Sequence, residues 1–169
     1  MFRIKHYLAA GFLFTSVLGT LSHFFYDWSG RNPLAALISP VNESIWEHMK
    51  LLFFPALLWS LFTPRSLRKD LPSLRPSLHS GILLGTLCIP VLFYTYSGVL
   101  GRTYTAVDIG IFFVSTAAAF LTAWKLNSAH WIQKWQKAIF LLTLLSAILF
   151  FVFTFLPPDA GLFYSASAQ

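Results

Sequence analysis

Residues 138–156 read AIFLLTLLSAILFFVFTFL, nineteen consecutive positions without a charged side chain. Wound as an α-helix at about 1.5 Å per residue, such a run reaches across the roughly 30 Å hydrocarbon core of a bilayer. It predicts a membrane-spanning helix. Four further runs, at 7–25, 44–63, 78–100 and 106–126, have the length or nearly so, although the strictly apolar part of 44–63 begins only at Met49. The expected fold is therefore all-α: one transmembrane domain over residues 1–169, a bundle of about five spanning helices.

Composition agrees. Of 169 residues, 56% are hydrophobic and 11% charged, against about 25% charged in soluble domains. A water-soluble surface needs charge, and lipid removes that need. Aromatic residues reach 18%, eighteen of them Phe, which suits a lipid-facing surface. Cys88 is the single cysteine and lies in an apolar run, so it forms no intrachain disulfide. The net charge of +6 comes from basic residues between the apolar runs, with no basic, aromatic-interleaved stretch that would engage nucleic acid.

Helix breakers fall near the run ends. Pro64 closes the second run, Pro72 and Pro76 are expected to hold the next loop open, Gly98 and Gly101 end the third, and Pro157 and Pro158 end the fifth. Pro55 and Pro90 lie inside runs and predict kinks that open space beside them. Arg3 and Lys5 before the first run resemble the start of a signal peptide, but the apolar stretch is long and no A-x-A site follows, so it reads as a retained helix. With the N-terminus in the cytoplasm, nine basic residues fall inside (Arg3, Lys5, Arg65, Arg68, Lys69, Arg75, Lys125, Lys134, Lys137) and three outside (Arg31, Lys50, Arg102). That bias predicts N-in, C-out. Trp131 and Trp135, flanked by Lys134 and Lys137, predict an interfacial anchor over 127–137.

Chemistry concentrates in Ser39-Pro40-Val41-Asn42-Glu43-Ser44-Ile45-Trp46-Glu47-His48-Met49-Lys50, at the outer end of the second run. Ser39 with Pro40, or Asn42, is expected to cap the helix. The fifteen residues from Met49 to Thr63 cover only about 22 Å, which draws Glu47, His48 and Lys50 towards the membrane. Ionisable groups there turn inward and pair. At about 100° per residue, Glu43, Glu47 and Lys50 share a face that Ser44 and His48 extend. His23, Asp27 and Asp108 lie at neighbouring helix ends. The expected ligand-binding or proton/cation site is thus Glu43, Glu47, His48, Lys50, His23, Asp27 and Asp108, with Glu43, Glu47, His48 and His23 as the metal-ligand set for a divalent ion such as zinc or iron. No standard motif names a reaction: H-E-x-x-H is absent, and its inverse needs a histidine where Ser44 stands. His79, His6 and His130 read as interfacial residues, and Arg102 as half of a local ion pair.

The stretches His23-Phe24-Phe25-Tyr26-Asp27-Trp28-Ser29-Gly30-Arg31-Asn32-Pro33 and Val41-Asn42-Glu43-Ser44-Ile45-Trp46-Glu47-His48, the latter continuing to Pro55, resemble a family of small uncharacterised multi-pass membrane proteins of Gram-positive bacteria. The resemblance implies a bacterial plasma-membrane protein and carries no catalytic role. Three functions stay open from sequence: binding or transport of a cation, proton or small polar ligand; a metal-dependent intramembrane hydrolase acting on lipid; and a structural or regulatory membrane subunit. The lipid bilayer is the expected partner in each, and oligomeric state is not encoded legibly.

Overall fold

Each apolar run folds as a long helix, and the polar segments between them fold as short ones. The computed structural model describes residues 2–165, so the outermost ends of the domain expected over 1–169 lie outside the described residues. In chain order the helices are α1 (Phe2–Ser22), α2 (Phe25–Trp28), α3 (Pro33–Ile38), α4 (Ile45–Leu61), α5 (Arg65–Asp70), α6 (Leu74–Leu100), α7 (Thr105–Leu126), α8 (Trp131–Lys134) and α9 (Gln136–Phe155). A 3₁₀ turn follows at Gly161–Phe163. Among the described residues there is no strand, only an isolated antiparallel bridge between Ser44 and Ser165.

The long helices alternate in direction. Tyr7 at the start of α1 hydrogen-bonds Thr63 beyond the end of α4 (2.7 Å), while His23 beyond the end of α1 packs on His48 at the start of α4. Tyr96 near the end of α6 donates to Asp108 at the start of α7. Lys5 lies over the Trp124 ring at the end of α7, and Gln133 before α9 donates to Ser73 before α6 (2.8 Å). The basic residues expected inside gather at the end holding Lys5, Thr63, Ser73 and Trp124. Glu43, Asp108 and the chain's last described residues gather at the other.

α4 is the central helix. Ile45, Met49, Leu51, Leu52, Phe53 and Ala56 are all buried, while Leu58 and Leu61 towards its end are exposed, so its first three turns are the enclosed part. α1 packs along it through small residues. A side chain at Gly19 would collide with the Leu51 carbonyl oxygen, the acceptor that Pro55, lacking an N–H, leaves free. α6 packs on α7 by the same device: Cβ atoms at Gly81 and Gly85 would run into the backbone of Ala119 and of Ser115. This is the close small-residue contact typical of helices that cannot rely on water to drive them together. α9 lies at the rim, with Leu141, Leu142, Leu144, Leu145 and Ile148 exposed.

Four helical stretches are long and apolar enough to cross a membrane: Arg3–Ser22, Leu74–Leu100, Thr105–Leu126 and Gln136–Phe155. α4, with 17 residues, covers about 26 Å and is the shortest of the five long helices.

Several expectations are corrected. α1 starts earlier than 7 and ends at Ser22, where a turn leads into α2. α6 starts at Leu74 rather than 78, because Pro76 sits in its first turn, where a missing N–H costs nothing. It passes through Gly98 and stops at Gly101, whose φ of 66° provides the left-handed cap. α4 and α6 stay helical through Pro55 and Pro90, as kinked helices also do. The void between α4, α6 and α7, lined by Ala56, Leu78, Ile82, Ala119 and Phe120, has no room for a water molecule. His79 is buried within the bundle, with Nδ1 facing Thr143 Oγ1 at 3.3 Å.

Candidate functional site

The start of α4 builds two adjacent polar groups. Ser44 caps the helix, its hydroxyl accepting from Glu47 N (3.3 Å). The cap is therefore neither Ser39 nor Asn42. Asn42 accepts from Ser44 N instead (2.9 Å), a local turn that keeps Glu43 outside the helix. Glu43 consequently does not share a helical face with Glu47 and Lys50.

The first group is the buried pair Glu47–Lys50. Lys50 Nζ lies 2.8 Å from Glu47 Oε2, and the two side chains are 2% and 0% exposed. An ammonium removed from water needs its three protons used. Here they go to Glu47, to the Ala36 carbonyl (2.9 Å) and to Thr154 Oγ1, with the Ser39 carbonyl at 3.5 Å. Glu47 Oε2 also accepts from Val41 N (2.9 Å), and Oε1 lies 3.2 Å from Thr154 Oγ1. The pair thereby fastens α3, the 39–44 segment, α4 and α9 together. Its charge is balanced and its hydrogen bonds are filled, which leaves Glu47 no free face for a metal alongside Glu43.

The second group is His23, Glu43 and His48. His48 Nε2 is 3.4 Å from Glu43 Oε2, and His23 Nε2 is 3.8 Å from Glu43 Oε1. The imidazole centroids lie 5.3 Å apart. One donor atom from each residue can be chosen so that all three lie within 4.8 Å of one another. His48 Nδ1 sits 2.9 Å from the Ser44 carbonyl. A carbonyl only accepts, so Nδ1 carries the proton and Nε2 of a neutral His48 presents a lone pair. That lone pair faces a carboxylate, and two acceptors at 3.4 Å need a positive charge between them: a proton on Nε2 or a metal ion. The hydrogen bond from His48 holds the Glu43 carboxyl below the usual carboxylate range, against partial burial, and the nearby His48 and His23 charges add to it. The backbone on either side of Glu43 is fixed through Val41 N and Ser44 N, so the carboxylate is presented on an ordered segment.

The remaining expected members stand apart. Asp27 faces Arg31 (3.6 Å) on the exposed surface. Asp108 accepts from the Tyr96 hydroxyl, which itself accepts from Tyr104 N (3.1 Å); it interacts with His48 only through space. Arg102 has no carboxylate partner among the described residues and lies over the Tyr104 ring (4.8 Å). The seven-residue cluster thus resolves into a metal-compatible triad, a closed ion pair and two separately satisfied aspartates. Thr154 escaped sequence reasoning, because nothing marks a threonine 104 residues from Lys50 as its partner. The Ser44 carbonyl was within reach of such reasoning, since Ser44 and His48 are one helical turn apart.

A family model matches residues 1–168. The chain belongs to DUF6512, a family of unknown function. Comparison with curated proteins and with solved structures finds no match. The family assignment accords with the resemblance drawn from sequence in one respect, that no activity comes with it.

Proposed function

We propose that this DUF6512 protein is a five-span plasma-membrane protein, N-terminus inside and C-terminus outside, that binds a divalent transition-metal ion, zinc foremost, at its outer face through His23, Glu43 and His48. The observation that carries the reading is the convergence of three donor atoms within 4.8 Å, with the Nε2 lone pair of His48 set by its bond to Ser44. Histidine ligands of zinc are oriented in this manner, by donating the other ring N–H to a carbonyl or carboxylate. Ligand atoms around a tetrahedral zinc stand roughly 3.3 Å apart, given metal–ligand lengths of about 2.0–2.2 Å. The 3.4 and 3.8 Å separations run to the two different oxygens of Glu43, so one ion would draw in three donors that now lie within 4.8 Å of one another.

Binding, rather than passage through the bundle, is favoured by the void between α4, α6 and α7, which has no room for water. Two histidines and one carboxylate leave the fourth position of zinc free. The same set would therefore also serve lipid hydrolysis, with a metal-bound water as the nucleophile.

The test is zinc binding by protein purified in detergent, stripped with chelator and titrated with zinc alone. One ion per chain is expected. His48→Ala and Glu43→Gln should each weaken binding by at least about ten-fold. Binding should also weaken in acid, where protons compete with the metal for the ligand atoms. Absence of stoichiometric zinc, or binding that survives replacement of all three residues, overturns the proposal and leaves a proton-bridged structural network.

A further inference from the structure

We infer that the cleft between α6 and α9 is a binding site for one anionic phospholipid, its acyl chain in the cleft and its phosphate at Arg75 and Lys137. The inference is independent of the metal site and rests on α6 and α9 spanning the bilayer.

α9 is fastened to the bundle at two levels. Towards its end, Thr154 joins the Glu47–Lys50 pair, and Phe150 packs on Trp46 and Phe53. Near its start, Thr143 meets His79, and Phe140 stacks edge-on against the same ring at 4.4 Å. On the outward side of these contacts α6 and α9 leave a cleft of about 420 Å³. Leu83, Leu84, Leu87 and Val91 of α6 and Ile139 and Leu142 of α9 line it. Its wall is almost wholly hydrocarbon and it opens outward, so a methylene chain fits its chemistry and a polar metabolite does not.

The occupant's other end is set by charge. The cleft runs along the middle of α6, from Ser80 to Val91, and its Ser80 and Ile139 end faces the basic end of the molecule. There the Arg75 guanidinium lies over the Phe140 ring at 5.6 Å, yet its buried Nε has no hydrogen-bond partner. Lys137 precedes Phe140 by three residues, so it stands one turn nearer the basic end on the same side of α9. Among the described residues neither Arg75 nor Lys137 makes an ion pair with a carboxylate. Two unpaired cations above an apolar cleft match a phosphate above an acyl chain. Guanidinium binds phosphate by paired N–H donors, and basic pockets between spanning helices take anionic headgroups.

Cys88, the one cysteine, also lines the cleft and reports its occupancy without an engineered label. The experiment delipidates the full-length protein in detergent. It adds phosphatidylglycerol, phosphatidylcholine or inorganic phosphate, then reads retained lipid by native mass spectrometry and Cys88 alkylation by a membrane-permeant maleimide. One phosphatidylglycerol per chain is expected, with Cys88 protected and inorganic phosphate without effect. The Arg75→Gln, Lys137→Gln double variant should lose about ten-fold of the preference for phosphatidylglycerol over phosphatidylcholine, the scale set by one to two basic residues. Leu84→Trp, or Val91→Trp at a more exposed wall position, should fill the cleft, exclude both lipids and keep zinc binding unchanged. Equal retention of the two lipids by the unaltered protein, retention indifferent to the tryptophan variants, or protection by phosphate alone would overturn the inference. Recovery of the unaltered chain in the soluble fraction would instead overturn the spanning reading on which it rests.

Discussion

At the scale of single residues, the Glu47–Lys50 pair is the most exacting feature of the chain. Two ionised groups leave water here, and their attraction offsets that loss only because Ala36, Val41 and Thr154 fill the remaining hydrogen-bond sites. Removing one partner strands the other. Lys50→Met or Glu47→Leu alone should cost about 3–5 kcal/mol, whereas the double replacement should cost far less or stabilise. Thermal unfolding in detergent reads the difference, and a Lys50→Met variant as stable as the parent would refute this account. Sequence showed that these residues would be drawn inward, because the apolar run beyond His48 is short. The spacing of three also lets Glu47 pair with Lys50, but sequence could not show that Glu43 belongs to the histidines instead. That partition depends on Ser44 rather than Ser39 or Asn42 starting α4, and on carbonyl and hydroxyl groups whose contacts with Lys50 are long-range.

At the scale of helices, close approach governs. Gly81 and Gly85 let α6 lie against the backbone of α7, while Gly98 on the same helix faces open space. The same substitution should therefore act oppositely at the two ends. Gly81→Ala forces backbone apart and should destabilise by about 1–3 kcal/mol. Gly98→Ala should stabilise by about 0.5–1 kcal/mol through helix propensity. Denaturation midpoints of the two variants decide it, and a neutral Gly81→Ala would remove the small-residue contact as the organising element. The existence of five long helices was legible because apolar runs have a required length in lipid. Their ends were less so. Pro76 punctuates a loop in one context and opens a helix in another, and only packing of Leu74, Ser77 and Leu78 into the core selects the second.

At the scale of the whole molecule, the alternating helices place the starts of α1, α6 and α9 at the end rich in lysine and arginine, and the triad at the other. Five crossings, as proposed above, would put the two termini on opposite sides. Reporter fusions beyond Gln169 should give an extracytoplasmic signal and fusions within α5 a cytoplasmic one. A cytoplasmic signal from the C-terminal fusion would overturn the five-span count or its orientation. The charge pattern alone pointed to the gathering of basic residues at one end of the bundle. The position of α4 at the centre was not legible, because its own sequence is no more apolar than that of the rim helix α9 and the burial arises from what surrounds it.

The bond between Lys50 and Thr154 also sets a schedule for biogenesis. In the proposed five-span chain, α4 reaches the membrane long before the ribosome has made α9, and until then the ion pair lacks the hydroxyl that completes it. On that reading α4 is expected to wait as a poorly accommodated segment and to settle only when the last helix arrives. A chain truncated after residue 135 should show this directly. Its α4 should remain accessible to aqueous labelling, and the fragment should be degraded faster than a full-length Thr154→Val variant, which lacks the hydroxyl but retains the helix.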